Sequence, residues 1–551
     1  MKSIPLGVEN FGEVIQNSYY VDHTLFIEEL ERLTPTSAVL ILRPRRFGKS
    51  LTLSMLRFFY ESDKNERDAL FGGLKISNNK KVMSGQKKPV LHIKLKDLKP
   101  KDYSSLIQGF YALIEEEYLR QRAIWGEKLR CSLLDTWKTS GFNEYDLQSS
   151  LYELSKALYN FTGKRVYLLI DEYDTPISNA KYHDYFDDAI SFFRTLYGKA
   201  LKGNDFIEKS VVTGILRIAK QSLFSETNNF VLDDGLQTAF TEPCGFTYAE
   251  CADLLRYYGA EKSMDNVVTW YGGYRFGDTL CVNPWSVLSY LFYQKRFATY
   301  WVSSASNSEL STVSSADKIS IVSLNRLLGG MEKVKADIAE NINYQQIDYS
   351  MDSFYLYLRA AGYLSLSEYT EDNAAMMCIP NREIEITFPN EVIKRYTHGL
   401  NDQRHLASQI KQAFSSGDAD LIQRLFEDEL LPSFSYFDFG SEKSYQIMVL
   451  TLAALLFENS MVQSEAITGE GRCDILIAPK NEMDYGAVLE IKYLKARTSQ
   501  ERLQKSAQGA LKQIADNRYC SWLIREKANP IYAYGISFQG QRVAVAVQRI
   551  K

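Results

Sequence analysis

Four short runs of apolar and β-branched residues stand out in the first 215 positions: 38–42 (Ala-Val-Leu-Ile-Leu), 89–95, 166–170 and 210–215. Longer stretches with helical spacing separate them. Strands covered on both faces need no polar alternation, so this rhythm predicts a parallel α/β sheet. From Thr247 to about Tyr344 the pattern turns mostly helical, broken by Trp270-Tyr-Gly-Gly-Tyr-Arg-Phe-Gly277 and by Val282-Asn-Pro-Trp285, as a helical lid after the sheet would be. Residues 351–393 read as a helix (Phe354 to Ala361) followed by two extended pieces, 377–381 and 383–390, which suggests a winged-helix-like module. Beyond helical segments near 401–430 the rhythm changes again. A helix (Glu442 to Phe457), strands at 461–466, 473–478 and 487–491, and a helix (Ser499 to Arg518) predict a separate, smaller α/β domain.

At 551 residues with 45% apolar and 24% charged side chains, the chain can bury more than one core, since single cores rarely grow past about 250–300 residues. Seven cysteines form no C-x-x-C pair, which fits reduced thiols of a cytoplasmic protein better than a disulfide framework, and five scattered histidines argue against structural zinc. The amino terminus lacks the apolar stretch of a secretory signal, and the longest apolar run, Ile447 to Phe457, reads as a buried helix, so no membrane partner is expected. A net charge of -4 gives no bulk argument for nucleic acid; only local patches can carry one.

The first candidate chemistry follows the 38–42 strand. Arg43-Pro-Arg45-Arg46-Phe47-Gly48-Lys49-Ser50 leads into a helical pattern (Leu51 to Phe59), the setting of a phosphate-binding loop. Backbone N–H groups at that helix start would face phosphates, Lys49 would reach the β- and γ-phosphates of ATP, and the Ser50 hydroxyl would ligate Mg²⁺. The usual first glycine is Arg43 here, and an exposed basic loop is the plain alternative. The strand Val166-Tyr-Leu-Leu-Ile-Asp171-Glu172 supplies the other half: Asp171 for the Mg²⁺ shell and Glu172 to orient and deprotonate a water, against the alternative of an ordinary strand end. The 210–215 strand should lie beside it and bring Thr213 near the γ-phosphate. Arg217 either completes the transition-state charge or sits on the surface, and Asp174 reads as a helix-start or loop residue.

The second candidate site lies near the carboxy terminus. Asp474 on one strand and Glu490-x-Lys492 on the next would make a Mg²⁺ site suited to phosphodiester cleavage, with Asp474 and Glu490 on the metal and Lys492 on the hydrolytic water. Glu442 is a further carboxylate, and Gln513 and Tyr519 could face the site. Chance strings on exposed strands are the alternative. From Glu490 to Lys527, nine Lys/Arg against four acids make a field suited to phosphate backbones. A second stretch, Lys75 to Lys101, holds nine lysines against Asp97 and reads as solvated surface, with DNA contact as the minor alternative.

Together with Tyr19-Tyr-Val-Asp22, Ser222-Leu-Phe-Ser225, Asn228-Asn229, Gly245-Phe-Thr247 and Asn283-Pro-Trp-Ser286, these segments resemble bacterial AAA-ATPase-like proteins with a C-terminal PD-(D/E)XK nuclease-superfamily domain. The resemblance implies a P-loop sheet at 1–245, a helical lid at 246–345, a winged-helix-like piece with connecting helices at 346–430 and a nuclease-like domain at 431–551. It also implies that Arg-Pro-Arg-Arg in place of the first glycine is a family trait. ATP and Mg²⁺ are the implied cofactors and nucleic acid, DNA ahead of RNA, the implied partner; self-assembly stays open. Gln446 stands where the resemblance would place histidine, which favours an alternative: an ATPase switch or DNA-binding regulator with an inactive nuclease fold.

Overall fold

The computed structural model describes residues 1–217, 230–236, 239–240, 244–301, 333–338, 351–370, 374–387, 404–431, 442–457, 460–479, 484–495 and 498–551. Ser222–Ser225, Asn228, Asn229 and much of the expected lid (302–332 and 339–344) lie outside those residues. The chain forms two compact units, one of residues 1–313 with 335–387 and one of 314–334 with 388–551.

The first unit is built on β1 (Ser37–Leu42), β2 (Val90–Lys94), β3 (Val166–Asp171), β4 (Ile207–Gly214) and β5 (Phe230–Asp233), all parallel, in the order β2-β3-β4-β1-β5. β1 and β3 are buried along their whole length, as their unbroken apolar runs require. Because β4 lies between β3 and β1, the strand carrying Asp171-Glu172 is one strand removed from the loop strand, and Thr213 stands between them. Helix α1 (Lys49–Glu61) covers one face through Leu53, Met55 and Leu56, against Val39, Ile41 and Leu169.

Three further strands, β6 (Phe246–Thr247), β7 (Tyr274–Phe276) and β8 (Thr279–Val282), form a small antiparallel sheet beside the helices Tyr248–Tyr257 and Pro284–Phe292. Each helix start is set by sequence: Thr247 and Glu250 close a capping box, and Asn283 caps a helix whose first turn holds Pro284. The helix Met351–Ala361 falls in the chain between β9 (Val334–Asp337) and β10 (Ser365–Tyr369), which with β11 (Ala374–Cys378) form a three-stranded sheet in the order β10-β11-β9. The second extended piece expected here is instead helical at 382–387. The alternation Glu383-Ile-Glu-Ile mimics a strand, but Asn381 Oδ1 accepts from the Ile384 N–H at 3.1 Å and opens a helical turn.

The second unit holds one sheet of β12 (Ser460–Thr468), β13 (Gly471–Pro479), β14 (Gly486–Tyr493), β15 (Ile531–Gln539) and β16 (Arg542–Arg549), in sequential order. Only β14 and β15 are parallel, and α3 (Gln500–Asp516) makes the crossover between them. Alternation assigns the faces. Ile475, Ile477, Leu489 and Ile491 pack on α2 (Glu442–Leu456), whereas Leu476 and Val488 share a core with Ile514 of α3.

Candidate functional site

The loop site gathers at the C-terminal edge of the parallel sheet, where the chain passes from β1 into α1. Backbone at Arg46 (φ 67°) and Gly48 (φ 90°) turns left-handed. A Cβ at Gly48 would meet nothing within 4 Å, so conformation rather than crowding calls for glycine there. Lys49 Nζ donates to the carbonyls of Arg43 (2.8 Å) and Pro44 (2.9 Å), which holds the ammonium inside the loop. Thr213 donates to Asp171 Oδ1 at 2.6 Å, and the Ser50 hydroxyl bonds the same carboxylate. Burial raises the Asp171 pKa; those two bonds and the Lys49 charge act against the rise.

Glu172 follows at φ 55°, a strained conformation for a side chain of this kind, and its Oε2 accepts from Thr175 Oγ1 at 3.2 Å. Residues Arg45 to Leu51 and Glu172 line one open cleft. Asp171 and Thr213 are buried beneath it, behind Ser50. Arg217 lines a different cavity, with Pro44 and Arg359. Asp174 heads the helix Thr175–Tyr182, yet its Oδ2 accepts from the N–H groups of Ile215 (2.9 Å) and Leu216 (2.8 Å), fixing the chain that leaves β4.

Arg43 is no exposed loop residue. Its guanidinium is 2% exposed, bonds Asp233 Oδ1 at 2.8 Å and the Asp233 carbonyl at 3.1 Å, and lies 4.7 Å from the centre of the Phe276 ring. The side chain standing where a glycine would be expected thus ties the end of β1 to β5. Pro44 packs toward Gly362, where a Cβ would come within 3.0 Å of the proline ring.

Residues in and beside the cleft that the sequence does not mark also shape the site. Trp285 lies under the Arg46 guanidinium at 4.2 Å, and the Trp301 indole N–H donates to the Arg45 carbonyl at 3.2 Å. Lys96 and Lys99, read as solvated surface, line the same cleft, where Lys96 Nζ pairs with Glu9 at 2.8 Å. Their position at the end of β2, beside the Asp-Glu strand, is the signal that could have placed them.

The second site lies on the α3 face of the second sheet. The register Ile475↔Leu489, carried one step further, sets Asp474 across from Glu490. Asp474 Oδ2 accepts from the Ile491 N–H at 2.6 Å, and Gln446 Nε2 approaches the Asp474 carbonyl at 3.2 Å. Glu490 Oε1 accepts from Lys492 Nζ at 3.0 Å and from the Gln513 amide. Glu490 Oε2 is buried with no hydrogen-bond partner. Glu442 accepts from the Tyr493 N–H at 3.1 Å, close enough for its charge to raise both carboxylates. Tyr519 points elsewhere and packs on Gly471.

Burial, with Glu490 adding to it, pushes Asp474 up to about 7, and burial also raises Glu490. Burial alone would lower Lys492, but its bond to Glu490 leaves it raised. Two buried carboxylates with one lysine are short of positive charge, and a hard cation between them would supply it. Among the described residues, no group of three His, Cys, Asp or Glu is already gathered as a metal cage. A cation there would draw on Asp474 and Glu490, which face each other across β13 and β14.

Residues 5–224 match the family model described as Predicted AAA-ATPase, and residues 440–548 match that of the PD-(D/E)XK nuclease superfamily. The chain joins an AAA-ATPase-like domain to a PD-(D/E)XK nuclease-superfamily domain. It is 23% identical over 432 residues to an uncharacterized protein in the vnfD 5′ region of Azotobacter chroococcum mcd 1, covering 77% of this chain and 76% of that one. Among solved structures it is similar to the ORC2 protein of Aeropyrum pernix (ADPNP-ADP complexes), at 10% identity and a TM-score of 0.26 over 68% of this chain and 92% of that one. That superposition is too loose to assign a fold.

The Arg43–Asp233 pair makes a stability prediction. Arg43→Ala strands a carboxylate that is 0% exposed, and should cost about 3–5 kcal/mol, the scale of breaking a buried pair from one side. Arg43→Met with Asp233→Leu should recover most of it. Chemical denaturation of both variants beside wild type checks this; an Arg43→Ala protein as stable as wild type would contradict the assigned role.

Proposed function

We propose that this chain binds and hydrolyses ATP with Mg²⁺ at the Arg43–Ser50 loop, and that its PD-(D/E)XK domain is a Mg²⁺-dependent nuclease acting on DNA. The observation that carries the first half is the meeting of Ser50, Asp171 and Thr213 at the start of α1, with Glu172 facing the cleft. Phosphate oxygens would take the place of the two carbonyls that now receive Lys49. Ser50 and Asp171 would hold Mg²⁺, which when bound neutralises charge on the phosphate oxygens. Glu172 would orient the attacking water and accept its proton.

In the second domain Asp474 and Glu490 would hold the metal, with Glu442 near them, and Lys492 would position the hydrolytic water. The basic run from Lys492 to Lys527 supports a polyanionic partner. Seven free cysteines and the absence, among described residues, of a helix long and apolar enough to cross a membrane support a cytoplasmic setting. The test is to incubate the protein with Mg²⁺, with and without ATP, on duplex DNA, single-stranded DNA and RNA. Scission of DNA supports the nuclease; three intact substrates overturn it. The engagement of Asp474 with Gln446 and the Ile491 N–H favours a second reading, DNA binding without cleavage, and the same samples decide it through retained gel-shift.

A further inference from the structure

A buried carboxylate outside both sites bonds the chain beside Trp285 and at Trp301, the two tryptophans that meet the loop arginines. Glu383 is fully buried in the first turn of the 382–387 helix. Its place is fixed locally. Gly273, at φ 78°, lets the Pro380 carbonyl approach to where a Cβ would be 2.0 Å away, and Asn381 Nδ2 donates to the Gly272 carbonyl at 2.7 Å. From there Glu383 Oε2 accepts from Ser286 Oγ at 2.7 Å, and Oε1 accepts from the N–H of Trp301 at 2.7 Å and from that of Tyr300.

Each partner leads to the loop. Ser286 follows Trp285, whose ring carries the Arg46 guanidinium. Trp301 donates its indole N–H to the Arg45 carbonyl. One carboxylate therefore clamps the Pro284–Phe292 helix to the segment ending at Trp301, and through both it fixes the backbone at Arg45 and the side chain at Arg46. The sequence hid this, because Glu383 sits in an alternating run that resembles a strand.

We propose that Glu383 is a positioning residue of the nucleotide site: by accepting from Ser286, Tyr300 and Trp301 it sets Trp285 and Trp301 against Arg46 and Arg45 and so holds the loop in its phosphate-accepting shape. This rests on the reading of Arg43–Ser50 as the ATP loop. Only the ionised carboxylate can accept from all three donors at full strength. Burial pushes Glu383 up to about 7, so its ionised fraction rises through the neutral range. The other ionisable groups near it are Tyr271, Tyr274 and Tyr300, all raised by burial and uncharged there, and Arg382, which lies over the Trp270 ring.

The experiment titrates the full-length protein with a non-hydrolysable ATP analogue and Mg²⁺ at pH 6, 7 and 8, following tryptophan emission, for wild type, Glu383→Gln, Trp301→Phe and Lys49→Ala. Because the terminal phosphate of the ligand titrates in the same window, the readout is the ratio of affinities at each pH. Wild type should bind about tenfold tighter than Glu383→Gln at pH 8, the scale of losing hydrogen bonds to a charged acceptor, and the ratio should shrink toward one at pH 6. A merely structural role would give a ratio that ignores pH. A ratio of one at pH 8, or one that does not change between pH 8 and 6, overturns the proposal while Lys49→Ala remains defective. If Glu383→Gln does not fold, Trp301→Phe decides, since it keeps a ring and removes the N–H on Arg45, with folding checked by a thermal melt: weaker binding by a folded variant supports the proposal and unchanged binding overturns it. If Lys49→Ala binds like wild type, the loop assignment itself falls and the positioning role falls with it.

Discussion

Replacing Glu490 by alanine is expected to lower Mg²⁺-dependent DNA cleavage by about 10²-fold or more, the scale of removing one group that stabilises charge at a reacting centre. The geometry makes this more than a consequence of the motif. Glu490 shares its face of the sheet with Asp474, is 2% exposed, and leaves one oxygen without a partner. Both carboxylates are raised by burial, so in the protein alone they raise the free energy of the fold. Removing Glu490 should therefore leave thermal stability unchanged or increased while cleavage is lost, the pattern of a site that sacrifices stability for function. Lys492→Ala should also lose cleavage, but with a different stability outcome, because it strips Glu490 of a cation at 3.0 Å. Cleavage assays paired with thermal melts check both variants. A Glu490→Ala protein that melts lower and still cuts would identify the cluster as scaffold.

Glu172→Gln is expected to reduce ATP turnover by about 10²- to 10⁴-fold, the range for loss of a general base, while ATP binding persists. Glutamine keeps the size and the bond from Thr175 but cannot accept a proton. The backbone at Glu172 reinforces the assignment: φ 55° at a strand end, where Asp171 immediately before it is regular strand, costs of order 1–3 kcal/mol and aims the side chain into the cleft. Steady-state phosphate release with parallel nucleotide titration separates turnover from binding. Loss of binding in step with turnover would make Glu172 a structural residue.

The parts of this fold that could be read in advance are those whose burial is written locally. β1 and β3 appear as unbroken apolar runs because both faces are covered, and Asp171-Glu172 announces itself as two acids closing such a run. The adjacency of β3 and β4, and hence the place of Thr213, followed from that. What escaped depends on contacts distant in sequence. Arg43 meets Asp233 across 190 positions, so the loop reads locally as a basic stretch although its first arginine is an internal ion pair. Glu383 and Trp301 are 82 positions apart, and nothing near either one marks the other. β15 and β16 were not among the expected strands, although the apolar runs 531–536 and 543–547 on either side of Gly540 are a hairpin signal of ordinary strength.

The two sites differ in how far sequence could carry them. At the loop, order along the chain and place on the sheet edge coincide, so Lys49, Ser50, Asp171 and Thr213 assemble as spacing implied, whereas Arg217 goes to another cavity. At the carboxylate pair the cross-strand register was required. Asp474 and Glu490 are 16 positions apart, a spacing that does not set the pairing, and a shift of one residue would have put them on opposite faces.

If the Arg43–Ser50 loop takes nucleotide without the usual first glycine, Lys49 must be needed for binding. Equilibrium titration of the full-length protein with ATP and Mg²⁺ compares wild type with Lys49→Ala. Saturable binding by wild type that is lost in a folded Lys49→Ala protein is the predicted result. Equal affinity in the two proteins would contradict it.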